Sequence, residues 1–253
     1  MIRFTTSDET DWPGAARRQA ERQQPPAALL VLAKAPVAGR AKTRLSPPAT
    51  PRDAARIAAA ALLDTLDAVC AVPSVIPLVA WAGELAAAER RTELDHALRR
   101  VIRFDQRKGS LGERIVAAHA RVGELVPGAP VLQIGMDTPQ LGPADLAGAL
   151  ALLIAPGGPD AVLGPAVDGG WWALGVRDPR AAEAIGSVPT SRADTGAATL
   201  RALRSAGLTV QVLPQLRDVD TAEDALLVAA AGAGRRFTAE VAARLGGPVG
   251  AHR

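Results

Sequence analysis

The chain has 253 residues, 48% of them hydrophobic, and carries 29 basic against 26 acidic side chains for a formal net charge of +3. This suffices for one sizeable α/β domain or two small ones. With Phe and Trp sparse and Tyr absent, it excludes a basic, aromatic nucleic-acid platform, and no apolar run reaches the roughly 20 residues that span a bilayer.

Residues 1–26 mix Asp8, Glu9 and Asp11 with Arg17, Arg18 and Arg22 and have no hydrophobic signal core, so they are expected to form a flexible N-terminal extension ending at Pro25-Pro26. Residues 27–253 are expected to form one domain. The run 28–33, Ala-Leu-Leu-Val-Leu-Ala, predicts a first buried strand. A loop with four cations follows, Lys34, Arg40, Lys42 and Arg44, punctuated by Pro36, Gly39 and Pro47. Its amides and cations suit phosphates, although neither the Walker spacing nor the Gly-x-Gly-x-x-Gly fingerprint is there. A solvated basic loop is the simpler alternative.

The pattern then alternates. Residues 53–69 have helical periodicity, and the lone Cys70 just beyond them reads as a structural thiol in a reducing cytoplasm. Residues 74–81 predict a strand in which Pro77 points to an edge or irregular strand, residues 84–99 a helix, and residues 100–104 a short strand. The turn Asp105-Gln106-Arg107-Lys108-Gly109 leads to Ser110 and Glu113, a capping box for a helix reaching about Val126. Capping does not account for Gln106, Arg107 and Lys108.

Val131-Leu132-Gln133-Ile134 reads as a strand buried on both faces that stops at Gly135-Met136-Asp137-Thr138-Pro139. In an open α/β sheet ligands bind beyond the carboxyl ends of the strands. A carboxylate there can hold Mg2+ or Mn2+ against a phosphate, although Asp is also a common cap or turn former. A helix from Pro143 to Ile154 follows, then a strand over residues 160–165, the turn Asp168-Gly169-Gly170, and a strand carrying Trp171 and Trp172 on opposite faces. A polar loop, residues 189–196, precedes a helix over 197–206 and a strand over 208–213. In Arg217-Asp218-Val219-Asp220-Thr221, Thr221 pairs with Asp224 as a cap, leaving Asp218 and Asp220 on one face. The Ala-rich stretch from Ala222 to Arg244 is helical and suited to its own sheet or to a partner subunit. The whole predicts an α/β fold with a mostly parallel sheet.

Five stretches, residues 32–45, 109–114, 134–139, 167–172 and 216–224, occur in an order that resembles the DUF2064 family, glycosyltransferase-like proteins of the nucleotide-diphospho-sugar transferase superfamily. The first loop also resembles, more distantly, that of the 2-phospholactate guanylyltransferases. The resemblance implies a GT-A-type, Rossmann-like three-layer α/β/α sandwich. It implies nucleotide contacts from Ala33, Lys34, Gly39, Arg40, Lys42, Arg44, Gln106, Lys108, Gly109, Gly112 and Gly135, which include all three lysines of the chain. It makes Asp137 the ligand of Mg2+ or Mn2+. The Asp-x-Asp of many such enzymes is Asp-Thr-Pro here, so Asp220 is expected as second ligand, with Asp218 and Asp168 as alternatives.

Thr138, Pro139, Gly169, Gly170, Trp171 and Trp172 are expected to contact substrate, with Asp168 and Lys42 in catalysis. Glycosyl transfer from a nucleotide sugar to a small-molecule acceptor stands narrowly ahead of nucleotidyl transfer from a nucleoside triphosphate to a phosphorylated acceptor. A non-catalytic nucleotide-binding protein is the third reading. No nucleic-acid or membrane partner is expected, and the oligomeric state is open.

Overall fold

Strand β1 (Ala27–Lys34) lies in the interior of the sheet, with Leu29, Leu30 and Val31 fully buried on alternate faces. Such burial on both sides selects the continuous apolar run seen in the sequence. The computed structural model describes residues 26–246. The expected N-terminal extension, Pro26 aside, and the last seven positions lie outside the described residues.

Helix α1 (Pro51–Ala71) starts where Thr50 accepts from the Asp53 amide and Pro51 occupies the first turn. It leads to β2 (Val75–Ala82), α2 (Arg91–Leu98) and β3 (Ile102–Asp105). The capping box of Ser110 and Glu113 opens α3 (Leu111–Leu125), followed by β4 (Val131–Ile134) and α4 (Pro143–Ile154). The chain continues through β5 (Ala161–Pro165), β6 (Trp171–Val176), a 3-10 segment (Pro179–Ile185), α5 (Thr195–Ser205), β7 (Val210–Val212), α6 (Ala222–Ala230) and α7 (Arg235–Leu245).

The seven strands lie in the order β3-β2-β1-β4-β6-β5-β7, and β6 alone runs antiparallel to its neighbours. Helices α1, α2 and α4 cover one face through Leu62, Leu66, Leu94 and Leu146. On the other face α3, α5 and the 3-10 segment contribute Ile115, Val122, Leu203 and Ile185. The result is a three-layer α/β/α sandwich with a mostly parallel sheet. Because the chain passes from β1 to β2 on one side while β4 pairs on the other, a crevice opens between the carboxyl ends of β1 and β4.

Three local expectations change. Pro77 lies in an interior strand, but β3 pairs only with Leu78 to Trp81, so the sheet has a free edge beside the proline. The helix expected over 84–99 is a 3-10 turn (Leu85–Ala87) and then α2, separated by Arg90 in the left-handed conformation at φ 53°. The Ala-rich stretch is two helices broken at Gly232, and α6 and α7 pack on their own chain: Phe237 and Val241 join Ile57 of α1, Leu45 and Val219 in a third apolar cluster.

Candidate functional site

The loop after β1 brings Lys42 to the crevice and locks its backbone there. Lys42 has left-handed angles, φ 47° and ψ 45°, at the head of a 3-10 turn (Thr43–Leu45) whose Leu45 is fully buried in the third cluster. The Lys42 ammonium donates to Asp137 Oδ2 at 2.8 Å and to Asp220 Oδ1 at 2.8 Å. Arg44 adds a bond to the other oxygen of Asp220 at 3.2 Å. Two residues separated by a third of the chain from each other are thus joined through a lysine from the first loop.

Asp137 depends on Gly135 before it: a Cβ there would stand 2.5 Å from Asp137 Oδ1, so only glycine lets the carboxylate fold back. The Val219 amide donates to the Asp137 carbonyl at 2.9 Å and fixes the segment bearing Asp218 and Asp220 beside β4. Oxygens of Asp137, Asp218 and Asp220 lie within 4.8 Å of one another. Three hard oxygen donors fit Mg2+ or Mn2+, and the lysine ammonium already stands among them as a cation.

The electrostatics follow from this crowding. Burial, with the charges of Asp137, Asp168 and Asp220, pushes the Asp218 carboxyl up to about 6. Burial opposes charge on Lys42, but the carboxylates of Asp137 and Asp220 overcome it and hold the lysine pKa well above its ordinary value. The ammonium stays charged.

A cavity of about 590 Å³ opens above these groups, lined among others by Ala33, Lys34, Arg40, Lys42, Arg44, Gln106, Asp137 and Asp220. Gln106 serves the wall rather than its opening: its amide nitrogen donates to the carbonyls of Ala33 and Ala80 at 2.8 Å each, and its oxygen accepts from Arg114. Arg114 and Ser191 also line the cavity. Sequence reasoning passed over both, although Arg114 closes the Gly-Ser-Leu-Gly-Glu-Arg stretch and Ser191 lies in the polar loop 189–196.

Other expected residues sit elsewhere. Lys108 and Gly109 are exposed outside the cavity lining, and Gly112 is small because a Cβ would meet the Gly186 carbonyl at 2.6 Å. Gly39, at φ 73°, shapes the first loop. Thr138 is buried, and Pro139 accepts from the Gly234 amide in a separate groove of about 790 Å³. That larger groove is charged, but Arg236 pairs with Asp64 and Asp67, and Arg90 and Arg244 with Glu240. Trp172 is core, with its indole donating to the Pro214 carbonyl, while Trp171 is half-buried against the opposite core. Asp168 holds its own turn through the Gly170 amide at 2.7 Å. Gly169, at φ 89°, and Gly170 press against loop 189–196, where the Gly196 amide donates to the Gly169 carbonyl. Ser191 of the same loop lines the cavity.

Comparison with known proteins fits this architecture. The sequence profile of a family described as uncharacterized proteins conserved in bacteria (DUF2064) matches residues 65–192. A search of curated proteins found no match. A protein of Desulfovibrio desulfuricans G20, named as an inferred nucleotide-diphospho-sugar transferase, superposes with a TM-score of 0.73 at 24% identity, covering 86% of this chain and 93% of its own. A 4-diphosphocytidyl-2C-methyl-D-erythritol synthase superposes at 0.51 with 13% identity over 81% of this chain and 96% of its own. A nucleotidyl transferase from Methanothermobacter thermautotroptrophicus gives 0.50 and 14% over 80% and 95%. The shared feature is the Rossmann-like fold of GT-A type.

Proposed function

We propose that this chain, which belongs to the DUF2064 family, is a divalent-metal-dependent transferase with a nucleotide-activated donor, moving a sugar from a nucleotide sugar to a hydroxyl of a small-molecule acceptor. One observation carries the reading: cations and carboxylates meet at one crevice. Lys34, Arg40, Lys42, Arg44 and Arg114 line the cavity, and the carboxylates of Asp137, Asp218 and Asp220 converge beside them with Asp168 near. The cations suit a diphosphate; the carboxylates suit a metal and a neutral acceptor.

Asp137 and Asp220, with Asp218, would hold Mg2+ or Mn2+, which when bound would offset the charge that builds on a departing diphosphate. Lys42 and Arg44 offer charged donors to the same oxygens. In the transfer the acceptor oxygen bonds to the anomeric carbon, the carbon–oxygen bond to the diphosphate breaks, and its electron pair leaves on the phosphate. The acceptor proton passes to Asp168, whose Oδ1 keeps the turn while Oδ2 is left for the acceptor.

Nucleotidyl transfer is the second reading, favoured by the number of cations: five such side chains match a triphosphate better than a diphosphate. Against it, four carboxylates repel a phosphorylated acceptor. A thermal-shift panel of nucleoside triphosphates, diphosphates and nucleotide sugars, with and without Mg2+ or Mn2+, tests the choice on wild type and Asp137→Ala. Glycosyl transfer expects a nucleotide sugar to stabilise more than its parent nucleotide, with the metal-dependent part lost in the variant. A shift with triphosphates and none with nucleotide sugars would transfer the assignment to nucleotidyl transfer. No shift with any ligand would leave a scaffold.

A further inference from the structure

The Lys42 ammonium lies 2.8 Å from one oxygen of Asp137 and 2.8 Å from one oxygen of Asp220, two of the three carboxylates that converge. Asp137, Asp218 and Asp220 would hold a divalent ion, and the ammonium already occupies an oxygen of two of them. Two like charges compete for those oxygens.

The surroundings decide which partner yields. The Asp137 carbonyl accepts from the Val219 amide, and the Lys42 carbonyl accepts from the amide of buried Leu45, three positions on, which holds the backbone of each residue in place. What remains free to swing is the flexible lysine stem, a point charge on four rotatable carbons. The cavity of about 590 Å³ lies beside it, and the same cavity would take the donor's diphosphate.

We infer that Lys42 is the resident cation of the carboxylate site: a divalent metal enters by displacing its ammonium, and the freed ammonium becomes a ligand of the donor's diphosphate, so that metal and donor bind as a coupled pair. This rests on the transferase reading above. Reciprocity then requires that a diphosphate, by drawing Lys42 away, tightens the metal by the same factor that the metal tightens the diphosphate. The lysine makes each ligand a condition for the other.

The chain has only Lys34, Lys42 and Lys108, so a protein labelled with 13C-lysine gives three ε-carbon resonances, and the one missing from Lys42→Met belongs to this ammonium. In wild type, Mg2+ is expected to move the Lys42 ε-carbon resonance saturably and leave that of exposed Lys108 in place, and inorganic pyrophosphate added with Mg2+ is expected to move Lys42 again. In Lys42→Met, with folding checked by circular dichroism, Mn2+ alone is expected to bind about five- to 150-fold more tightly than in wild type, the usual range of coupling between sites. Electron paramagnetic resonance of free Mn2+ measures it.

Saturation by Mg2+ with the Lys42 resonance unmoved would overturn the inference while leaving the transferase reading intact. So would a folded Lys42→Met that binds Mn2+ no more tightly than wild type. If the variant does not fold, the wild-type resonance decides. Wild type that binds neither Mn2+ nor pyrophosphate would remove both the inference and the reading beneath it.

Discussion

His119 on α3 is fully buried, and its Nε2 lies 3.0 Å from the Gln133 side-chain oxygen on β4. Its Nδ1 has no hydrogen-bond partner among the described residues. Burial pushes the imidazole pKa down to about 4, with the Gln133 bond opposing only in part. The unfolded chain takes up a proton near pH 6.5. The folded pKa being the lower, the unfolded state binds more protons between the two values, and stability falls as the pH falls from about 6.5 to about 4. A shift from the ordinary value of 6.5 to about 4 amounts to about 3 kcal/mol in full, of which about 2 kcal/mol is lost by pH 5.

Asp218 works in the opposite direction over part of the same window. Its folded pKa of about 6 exceeds the unfolded value of 3.8, so it favours the folded state as the pH drops. The comparison therefore needs a variant that changes the histidine alone. His119→Gln keeps a polar group for Gln133 and cannot titrate. Urea unfolding followed by circular dichroism at pH 7.5, 6 and 5 is expected to show wild type losing about 2 kcal/mol more than the variant over this range. Parallel pH profiles for the two proteins would refute the reasoning.

Gly169→Ala places a Cβ 1.9 Å from the Ala193 carbonyl oxygen at a backbone φ of 89°. Strain and clash together are expected to cost on the order of 1–3 kcal/mol and to lift loop 189–196 from the crevice; tryptic cleavage after exposed Arg192 should accelerate, and an unchanged cleavage rate would contradict this packing. Phe237→Ala empties the centre of the third apolar cluster, where the ring is fully buried against α1 and α6. It is expected to cost about 3–5 kcal/mol in chemical denaturation; a loss under 1 kcal/mol would mean that α7 adds little to the fold.

Much of this architecture is legible from local pattern. Apolar runs at 28–33 and 131–134 mark strands buried on both faces, and they are the adjacent central strands. The capping pairs Ser110 with Glu113 and Thr221 with Asp224 mark helix starts because a short polar side chain and the carboxylate three positions on satisfy one another's free amides. Asp137 could be placed at a strand end from the abrupt stop after Ile134. These are short-range signals, set by neighbours within a few residues.

What neighbours along the chain cannot specify is which residues meet across it. Nothing near Gly112 tells that its missing side chain makes room for the Gly186 carbonyl, rather than for a nucleotide. Gln106 reads as a ligand in the sequence, yet carbonyls 73 and 26 positions away claim its amide. Trp171 and Trp172 alternate as a strand requires, but only the layers above and below decide that Trp172 belongs to the core. The meeting of Lys42 with Asp137 and Asp220, over separations of 95 and 178 residues, is of the same kind. Sequence determines the residue types and the local elements that carry them, because those rest on backbone geometry and nearest neighbours. The tertiary structure alone decides which charges share one low-dielectric crevice, because that depends on the order of strands in the sheet and on what each loop is packed against.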